Sequence, residues 1–264
     1  MDKQINKYFE LNKKSWDKRT SYHLNSDFYD LYNFKKSINS LKHIELEALG
    51  NLKDKSILHL QCHFGMDSIS LANLGAKVTA VDFSSEAIKN GKELSKELET
   101  PVNFICSNVY DLCLSEEYDI VFVSYGAICW LNDLGLWAKV INLHLKKGGF
   151  FYIVDFHPVL GMFDDKIDKI KYEYFNKKAC VENIQGTYAE KNIKVYFDNI
   201  EWSHSMSEVI GSLLSQNLTL MNFQEFDYST YNCFEDLYQL EKEKFKFKNI
   251  KIDIPILFSL KFKK

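Results

Sequence analysis

The stretch SILHLQCHFGMDSISLANLGAKVTAVDFS, residues 56–84, decides the fold. An apolar run (Ile57, Leu58, Leu60) breaks into a turn ending at Gly65, and an amphipathic segment follows. A second strand-like run, Lys77 to Val81, then stops at Asp82, about 17 positions after the turn glycine. Strand, tight turn, helix and strand in that order make a βαβ unit. In a nucleotide-binding unit the backbone approaches the ligand at the turn, and a carboxylate at the next strand end takes the ribose hydroxyls. The turn itself, Gln61-Cys62-His63-Phe64-Gly65, has one glycine where a dinucleotide fingerprint has three, which argues against a pyrophosphate ligand. Any parallel sheet has βα turns of this kind. Asp82 tips the balance toward a ligand site, because Ser84 already suits the cap of the next helix.

Outward from this unit the alternation continues. Helices are expected over about 65–74, 84–99 and 131–145, and strands over 102–106, 118–123 and 150–155, the last after the turn Lys146-Lys147-Gly148-Gly149. Strands separated by helices imply a parallel sheet covered on both faces. Residues 3–50 read as helices: Tyr8, Phe9, Leu11 and Trp16 fall near helical spacing, as do the apolar residues from Ser37 to Leu49, and Gly50 ends the segment. After Pro158 the rhythm changes. Three β-prone stretches (IKYEYF, ACVENI and IKVYFDNIEW) within 169–202 predict an inserted antiparallel flap. A helix over 205–216 and strands over 218–227 and 256–262, joined by the 228–254 segment, close the chain as an antiparallel edge. The expectation is one domain over 1–264: a helical N-terminal cover (1–50), a binding core (51–160), a flap (164–204) and a closing helix and strands (205–264).

Composition bounds the function. At 264 residues with 46% hydrophobic and 15% aromatic content, the chain is long and apolar enough to bury a substantial core. No apolar run reaches the roughly 18 residues of a membrane span, and the polar start MDKQINKYFELNKKSW lacks a signal-peptide core, so a cytoplasmic protein is expected. Six cysteines without CxxC spacing suit reduced thiols. The net charge of −3 disfavours a large nucleic-acid footprint. The lysine-rich stretch from Glu241 to Lys251 alternates with Glu and Phe, as a solvated element covering apolar surface would. His59, Cys62 and His63 do not share one helical face and no second cluster completes a ligand set, so no metal site is expected.

The chain resembles a class I S-adenosylmethionine-dependent methyltransferase, of the bacterial group with an LHLQCHFG-type first motif, here Leu58 to Gly65. The likeness runs on through Val81-Asp82-Phe83-Ser84, Cys106 to Asp111, Ser124 to Leu131, Asp155-Phe156-His157-Pro158, Trp202-Ser203-His204-Ser205, Phe226 to Ser229 and Ile256 to Lys261. It implies a Rossmann-like seven-stranded, mostly parallel sheet with an antiparallel last strand. It also implies S-adenosyl-L-methionine as donor, leaving S-adenosyl-L-homocysteine. By position, Gln61, Cys62, His63, Phe64 and Gly65 would contact the methionine part and Asp82 the ribose. Phe83 and Ser84 would flank the adenine, Asn108 and Val109 would meet its edge and face, and Ser124 and Tyr125 would sit at the sulfonium end. Two departures stand out: the turn lacks the family's second and third glycines, and Asn108 stands where Asp is common.

Tyr125 and His157 follow the fourth and fifth core strands, at the sheet edge where ligands bind, and are the candidate catalytic residues; His157 could serve as a general base. The alternative for His157-Pro158 is a strand terminator. Trp16, Tyr22, Trp130, Trp202 and His204 are candidate acceptor contacts, and the aromatic N-terminal segment is either a lid or a packing helix. The expected acceptor is a small molecule methylated at oxygen or nitrogen, with no nucleic acid or membrane partner and a monomer or homodimer as the unit. An RNA or protein methyltransferase, or a non-catalytic donor-binding protein, are the competing possibilities. Against the nucleic-acid alternative, the segment after the fourth strand is Ser124-Tyr125-Gly126-Ala127 and the three prolines are isolated.

Overall fold

The computed structural model describes residues 3–164, 167, 169–250 and 252–264. Three helices, α1 (Lys3–Leu24), α2 (Leu31–Ser37) and α3 (His43–Leu49), precede the first strand. The core runs β1 (Ser56–Leu60), α4 (Met66–Asn73), β2 (Lys77–Asp82), α5 (Ser85–Glu97), β3 (Asn103–Cys106), β4 (Tyr118–Ser124), α6 (Leu134–His144) and β5 (Leu145–Phe156). Then come the hairpin β6 (Cys180–Gln185) and β7 (Tyr196–Glu201), α7 (Met206–Leu214), β8 (Thr219–Phe226), the hairpin β9 (Leu237–Glu241) and β10 (Lys244–Phe247), and β11 (Leu257–Lys263).

Seven strands form one sheet in the order β3-β2-β1-β4-β5-β11-β8. The first five pair in parallel, and β11 runs antiparallel between β5 and β8. The central strands are apolar on both sides because both faces are covered: Ile57, Leu58, Val121, Phe122 and Val123 are fully buried. On one face α6 (Trp137, Ala138, Ile141) and α7 (Val209, Leu213) pack against the sheet. On the other lie α3 (Ile44, Leu49) and residues from the β9–β10 hairpin. Ser84 caps α5, its hydroxyl accepting from the Ala87 N–H at 3.1 Å.

Several expectations need correction. The apolar periodicity from Ser37 to Leu49 is not one helix: Ile38 takes a left-handed conformation (φ 46°) and ends α2, and α3 starts five residues later. The β5 strand begins at Leu145, not 150, since Leu145 pairs with Tyr118 and the Lys146–Gly149 turn is a bulge inside the pairing. Of the three β-prone stretches in the flap, IKYEYF forms no strand; Ile170 and Phe175 are 69% and 73% exposed, so nothing supplies a packed face for them. Over its described residues the basic stretch from Glu241 agrees with its expectation, being largely the β10 side of a hairpin with Phe247 buried beneath it; Lys251 lies outside the described residues. Among the described residues no helix is long and apolar enough to cross a membrane.

The buried face of α1 is mostly polar: Asn12, Ser15, Arg19, Thr20 and His23 lie there with Phe9. Hydrogen bonds join this helix to β7. Asn12 Nδ2 donates to the Ile200 carbonyl (2.7 Å), and Asn12 Oδ1 accepts from the Ile200 N–H (3.1 Å). Lys18 Nζ reaches the Tyr196 carbonyl, and Phe9 packs on Trp202. Segments nearly two hundred residues apart thus meet over the carboxyl ends of the parallel strands.

Candidate active site

The 61–65 turn solves its glycine shortage with side-chain struts. Gln61 (φ 55°), His63 (φ 52°) and Gly65 (φ 75°) are all left-handed, so the backbone bends as a multi-glycine turn would. Holding a non-glycine residue there costs about 1 kcal/mol or more. Each strained residue is anchored. Gln61 Nε2 donates to the Ala127 carbonyl (2.7 Å), the His63 N–H donates to Asp82 Oδ2 (2.8 Å), and His63 Nε2 shares a hydrogen bond with His23 Nδ1 of α1 (3.0 Å). Gly65 has no such latitude, because a Cβ there would fall 2.4 Å from the Phe104 ring.

Asp82, at the end of β2, is 8% exposed. Its Oδ1 accepts from the Ser84 N–H (2.9 Å) and its Oδ2 from His63, leaving each oxygen further lone-pair capacity. Burial pushes its pKa up to about 6, opposed by those backbone N–H groups. Beneath the turn, Asp67 in the first turn of α4 accepts from Ser124 Oγ (2.9 Å) and Ser40 Oγ (2.5 Å), while buried His59 binds Ser68 Oγ (2.7 Å). Burial lowers the His59 pKa to about 4, so the ring is neutral. Neither His59 nor Cys62 shares a ligand set with His63: the Cys62 thiol donates to the His63 carbonyl, and burial raises its pKa.

A cavity of about 960 Å³ opens above these groups. Gln61 to Gly65, Asp82, Phe83, Asn108, Val109, Ser124 and Tyr125 all line it, as do Trp16, Trp130, His157, Trp202 and His204. Ser84 is fully buried next to it, held by Asp17 of α1, which also accepts from Ser85 Oγ and the Glu86 N–H. Tyr22 lies in the α1–β7 contact against Phe197. Asn108 uses its amide oxygen locally, accepting from the Tyr110 N–H (3.1 Å).

The two catalytic candidates are held differently from the sequence expectation. His157 Nδ1 accepts from the Val159 N–H (3.1 Å), capping a short 3-10 turn, and its Nε2 lies 3.0 Å from Glu225 Oε1. Both ring nitrogens therefore face protein groups, and burial lowers the pKa. Tyr125 (φ 22°) accepts from Thr230 Oγ1 (3.0 Å) at its hydroxyl, against Tyr231. The post-β4 loop is instead fixed by Asp155, whose buried carboxylate accepts from the backbone N–H groups of Gly126, Ala127 (3.0 Å), Ile128 (3.1 Å) and Phe156 (2.7 Å).

Sequence reasoning missed Asp17, Arg19 and Asp67, and placed His23 only within an aromatic lid or packing segment. Only Asp67 carried a local signal, an acid in the first turn of a helix. The α1 residues matter through contacts that no local pattern announces.

Residues 57–149 match the family model described as "Methyltransferase domain". That match covers about a third of the chain, from the first core strand to the start of the fifth. The ubiquinone biosynthesis O-methyltransferase of Pelagibacter ubique is 23% identical over 165 residues, 60% of this chain, and the chain spans 66% of that protein's length. A 79-residue segment, 28% of this chain, is 38% identical to 18% of an uncharacterised RNA methyltransferase of Protochlamydia amoebophila. Among solved structures, an S-adenosylmethionine-dependent methyltransferase from Listeria monocytogenes, described as putative, aligns over 84% of this chain and 97% of its own, with a TM-score of 0.59 and 19% identity. A DhpI–SAM–HEP complex aligns over 97% of both chains, with a TM-score of 0.59 and 15% identity. The sheet of this chain thus shares its fold with S-adenosylmethionine-dependent methyltransferases.

The residues present fit that donor. Gln61 Oε1 is a buried acceptor without a partner at the cavity wall, where an amino-acid ammonium would supply one. Asp82 retains acceptor capacity for two hydroxyls. The cavity volume lies at the upper end of the roughly 300–1,000 Å³ usual for ligand sites, leaving room for a second small molecule.

Proposed function

We propose that the protein transfers a methyl group from S-adenosylmethionine to an oxygen or nitrogen of a small-molecule acceptor. The observation that carries this is Asp82, buried at the second strand end and oriented by two backbone N–H groups toward a cavity large enough for two ligands. When bound, the donor supplies a methyl group on a sulfonium, already activated toward nucleophiles. The protein's task is then alignment, water exclusion and, for a protonated acceptor, removal of one proton.

Asp82 holds the ribose diol, and Gln61 Oε1 accepts from the amino-acid ammonium. Phe83 and Val109 enclose the adenine. Ser124 and the post-β4 loop, anchored by Asp155, border the sulfonium end. Trp16 of α1 and Trp130, 5.2 Å apart edge to face, wall the methyl from water. His157 serves as loop cap through Nδ1, with Nε2 facing Glu225. The ubiquinone-pathway relatives support a small acceptor, and the net charge of −3 supports the same choice over RNA.

Calorimetry tests the donor site directly. S-adenosylmethionine and S-adenosylhomocysteine are expected to bind wild type, and Asp82→Ala to weaken both by about a hundredfold, as loss of a charged acceptor to two hydroxyls implies. The carboxylate form accepts the hydroxyls, so affinity is expected to plateau above pH 6 and to fall as pH drops through about 6. Wild type that binds neither nucleoside, or label from the donor that accumulates in RNA rather than in metabolites, defeats the proposal.

A further inference from the structure

Opposite the donor turn, the α1–β7 side of the cavity carries a chain of polar groups that donor binding does not use. Arg19, the only arginine in the sequence, is 3% exposed and sealed against the rings of Trp16, Trp130 and Phe197 at 5.3, 5.5 and 5.2 Å. Its Nη2 donates to Asn199 Oδ1 (2.9 Å), which fixes the amide, and Asn199 Nδ2 donates to Glu201 Oε1 (2.7 Å). Glu201 lines the cavity at the end of β7. Its neighbour Trp202 donates its backbone N–H to the Cys129 carbonyl (2.8 Å), which ties this strand end to the post-β4 loop.

Independent support comes from His204, 8% exposed and lining the same cavity. Its Nε2 is 2.7 Å from the Leu131 carbonyl and so carries the proton, leaving Nδ1 a lone-pair acceptor. That nitrogen has no hydrogen-bond partner and lies 4.0 Å from Glu208 Oε2. Glu182 of β6, already engaged by Lys171 and the Tyr172 hydroxyl, and Asp164 also line the cavity. Among the described residues the lysines lining the cavity are Lys42, paired with Glu243, and Lys191, which donates to the Phe234 carbonyl. On this side of the cavity the Glu201 carboxylate and the indole rings of Trp130 and Trp202 match a ligand that brings N–H groups and positive charge.

We propose, resting on the donor-binding function above, that the acceptor is an amine, held as its ammonium beside Glu201 with Trp130 and Trp202 lining its pocket. Arg19 and Asn199 are positioning residues for that carboxylate. In the transfer, the ammonium gives one proton to Glu201, and the freed nitrogen lone pair forms the N–CH3 bond. The S–CH3 bond breaks with its electron pair left on sulfur, so the product is a methylated ammonium, a protonated Glu201 and a neutral thioether. Total charge is conserved.

The test uses the full chain saturated with S-adenosylhomocysteine and three probes of one skeleton: phenethylamine, 2-phenylethanol and phenylacetate. Calorimetry should show the amine binding about tenfold or more tighter than the alcohol, and no binding of the carboxylate. Glu201→Gln should keep its S-adenosylhomocysteine affinity, which certifies the fold, while losing about tenfold in amine affinity and leaving the alcohol unchanged. Asn199→Ala should lose amine affinity in the same direction by a smaller factor. Amine binding no tighter than alcohol or carboxylate, no amine binding at millimolar concentration, or an unchanged amine affinity in Glu201→Gln would each overturn the proposal. Failure of S-adenosylhomocysteine to bind wild type would instead bring down the donor function on which it rests.

Discussion

The donor side and the α1–β7 side of the cavity are built on opposite principles. On the donor side, Gln61 to Gly65 and Asp82 come from one βαβ unit, within a span of 22 residues. Their positions follow from parallel strand pairing, with Leu60 beside Val81. On the other side, Asn12, Arg19, Asn199 and Glu201 come from two segments that meet only in the folded chain, through single hydrogen bonds between polar groups. One side is held by apolar burial and backbone ladders, and the other adds buried amides and one sealed guanidinium to a small apolar cluster of Phe9, Ile200 and Trp202. The first arrangement is dense and shape-determined. The second trades packing for directional contacts, which suits a surface that recognises a variable ligand.

The sharpest way to break the donor side is Gly65→Ala. The added Cβ would sit 2.4 Å from the Phe104 ring in a residue with φ 75°, combining overpacking with left-handed strain. A loss of about 3 kcal/mol or more in denaturant unfolding is expected, with donor binding lost alongside. A variant as stable as wild type would mean the turn is not the rigid element described.

A smaller effect is expected within the α1–β7 side. Asn12→Ala leaves the buried Ile200 N–H and carbonyl without partners, a cost of about 2 kcal/mol. Because the donor turn does not touch Asn12, S-adenosylhomocysteine affinity should change by less than about threefold, while hydrogen exchange in α1 and β7 accelerates. Equal loss of protection in β1 and β2 would show that the two sides unfold as one.

Glu45, in α3 near Asp67 and Tyr125, offers the subtlest probe. It is fully buried, with no hydrogen-bond partner at either carboxyl oxygen, and burial together with the nearby Asp67 pushes its pKa up to about 8. A carboxyl group whose pKa rises on folding binds its proton more tightly in the native state. Its contribution therefore opposes folding increasingly as pH climbs from the unfolded value near 4.5 toward about 8. Glu45→Gln removes that titration. Thermal melts should show the variant about equal to wild type near pH 5 and more stable at pH 8, by roughly 1–3 kcal/mol. Parallel pH profiles for the two proteins would exclude the effect.

How much of this was legible beforehand differs by side for a physical reason. The βαβ unit announced itself because hydrophobic periodicity, a turn glycine and a strand-end acid are all local, and β2 and α5 appeared close to where they were expected. Even the absent glycines were informative, since Gln61 and His63 adopt the same left-handed path and use their side chains as struts. The helix expected over Ser37 to Leu49 failed because apolar spacing continues through Ile38 while the backbone turns left-handed there. The IKYEYF strand failed because β propensity without a partner edge forms nothing. His157 was visible as a histidine at a strand end, but the Val159 N–H that its Nδ1 caps and the Glu225 carboxylate beside its Nε2 were not.

What the sequence determined by itself is therefore the sheet, the donor turn and the acid that follows it, since these depend on pattern within one supersecondary unit. What only the tertiary structure decided is which side chains line the α1–β7 wall of the cavity. The buried face of α1 carries asparagine, arginine and histidine, residues whose pattern reads as solvent-facing. They are buried because β7, about 180 residues away, supplies the backbone groups and the amide that satisfy them. A polar group's environment is set by its partner, and the partner is found only in the fold.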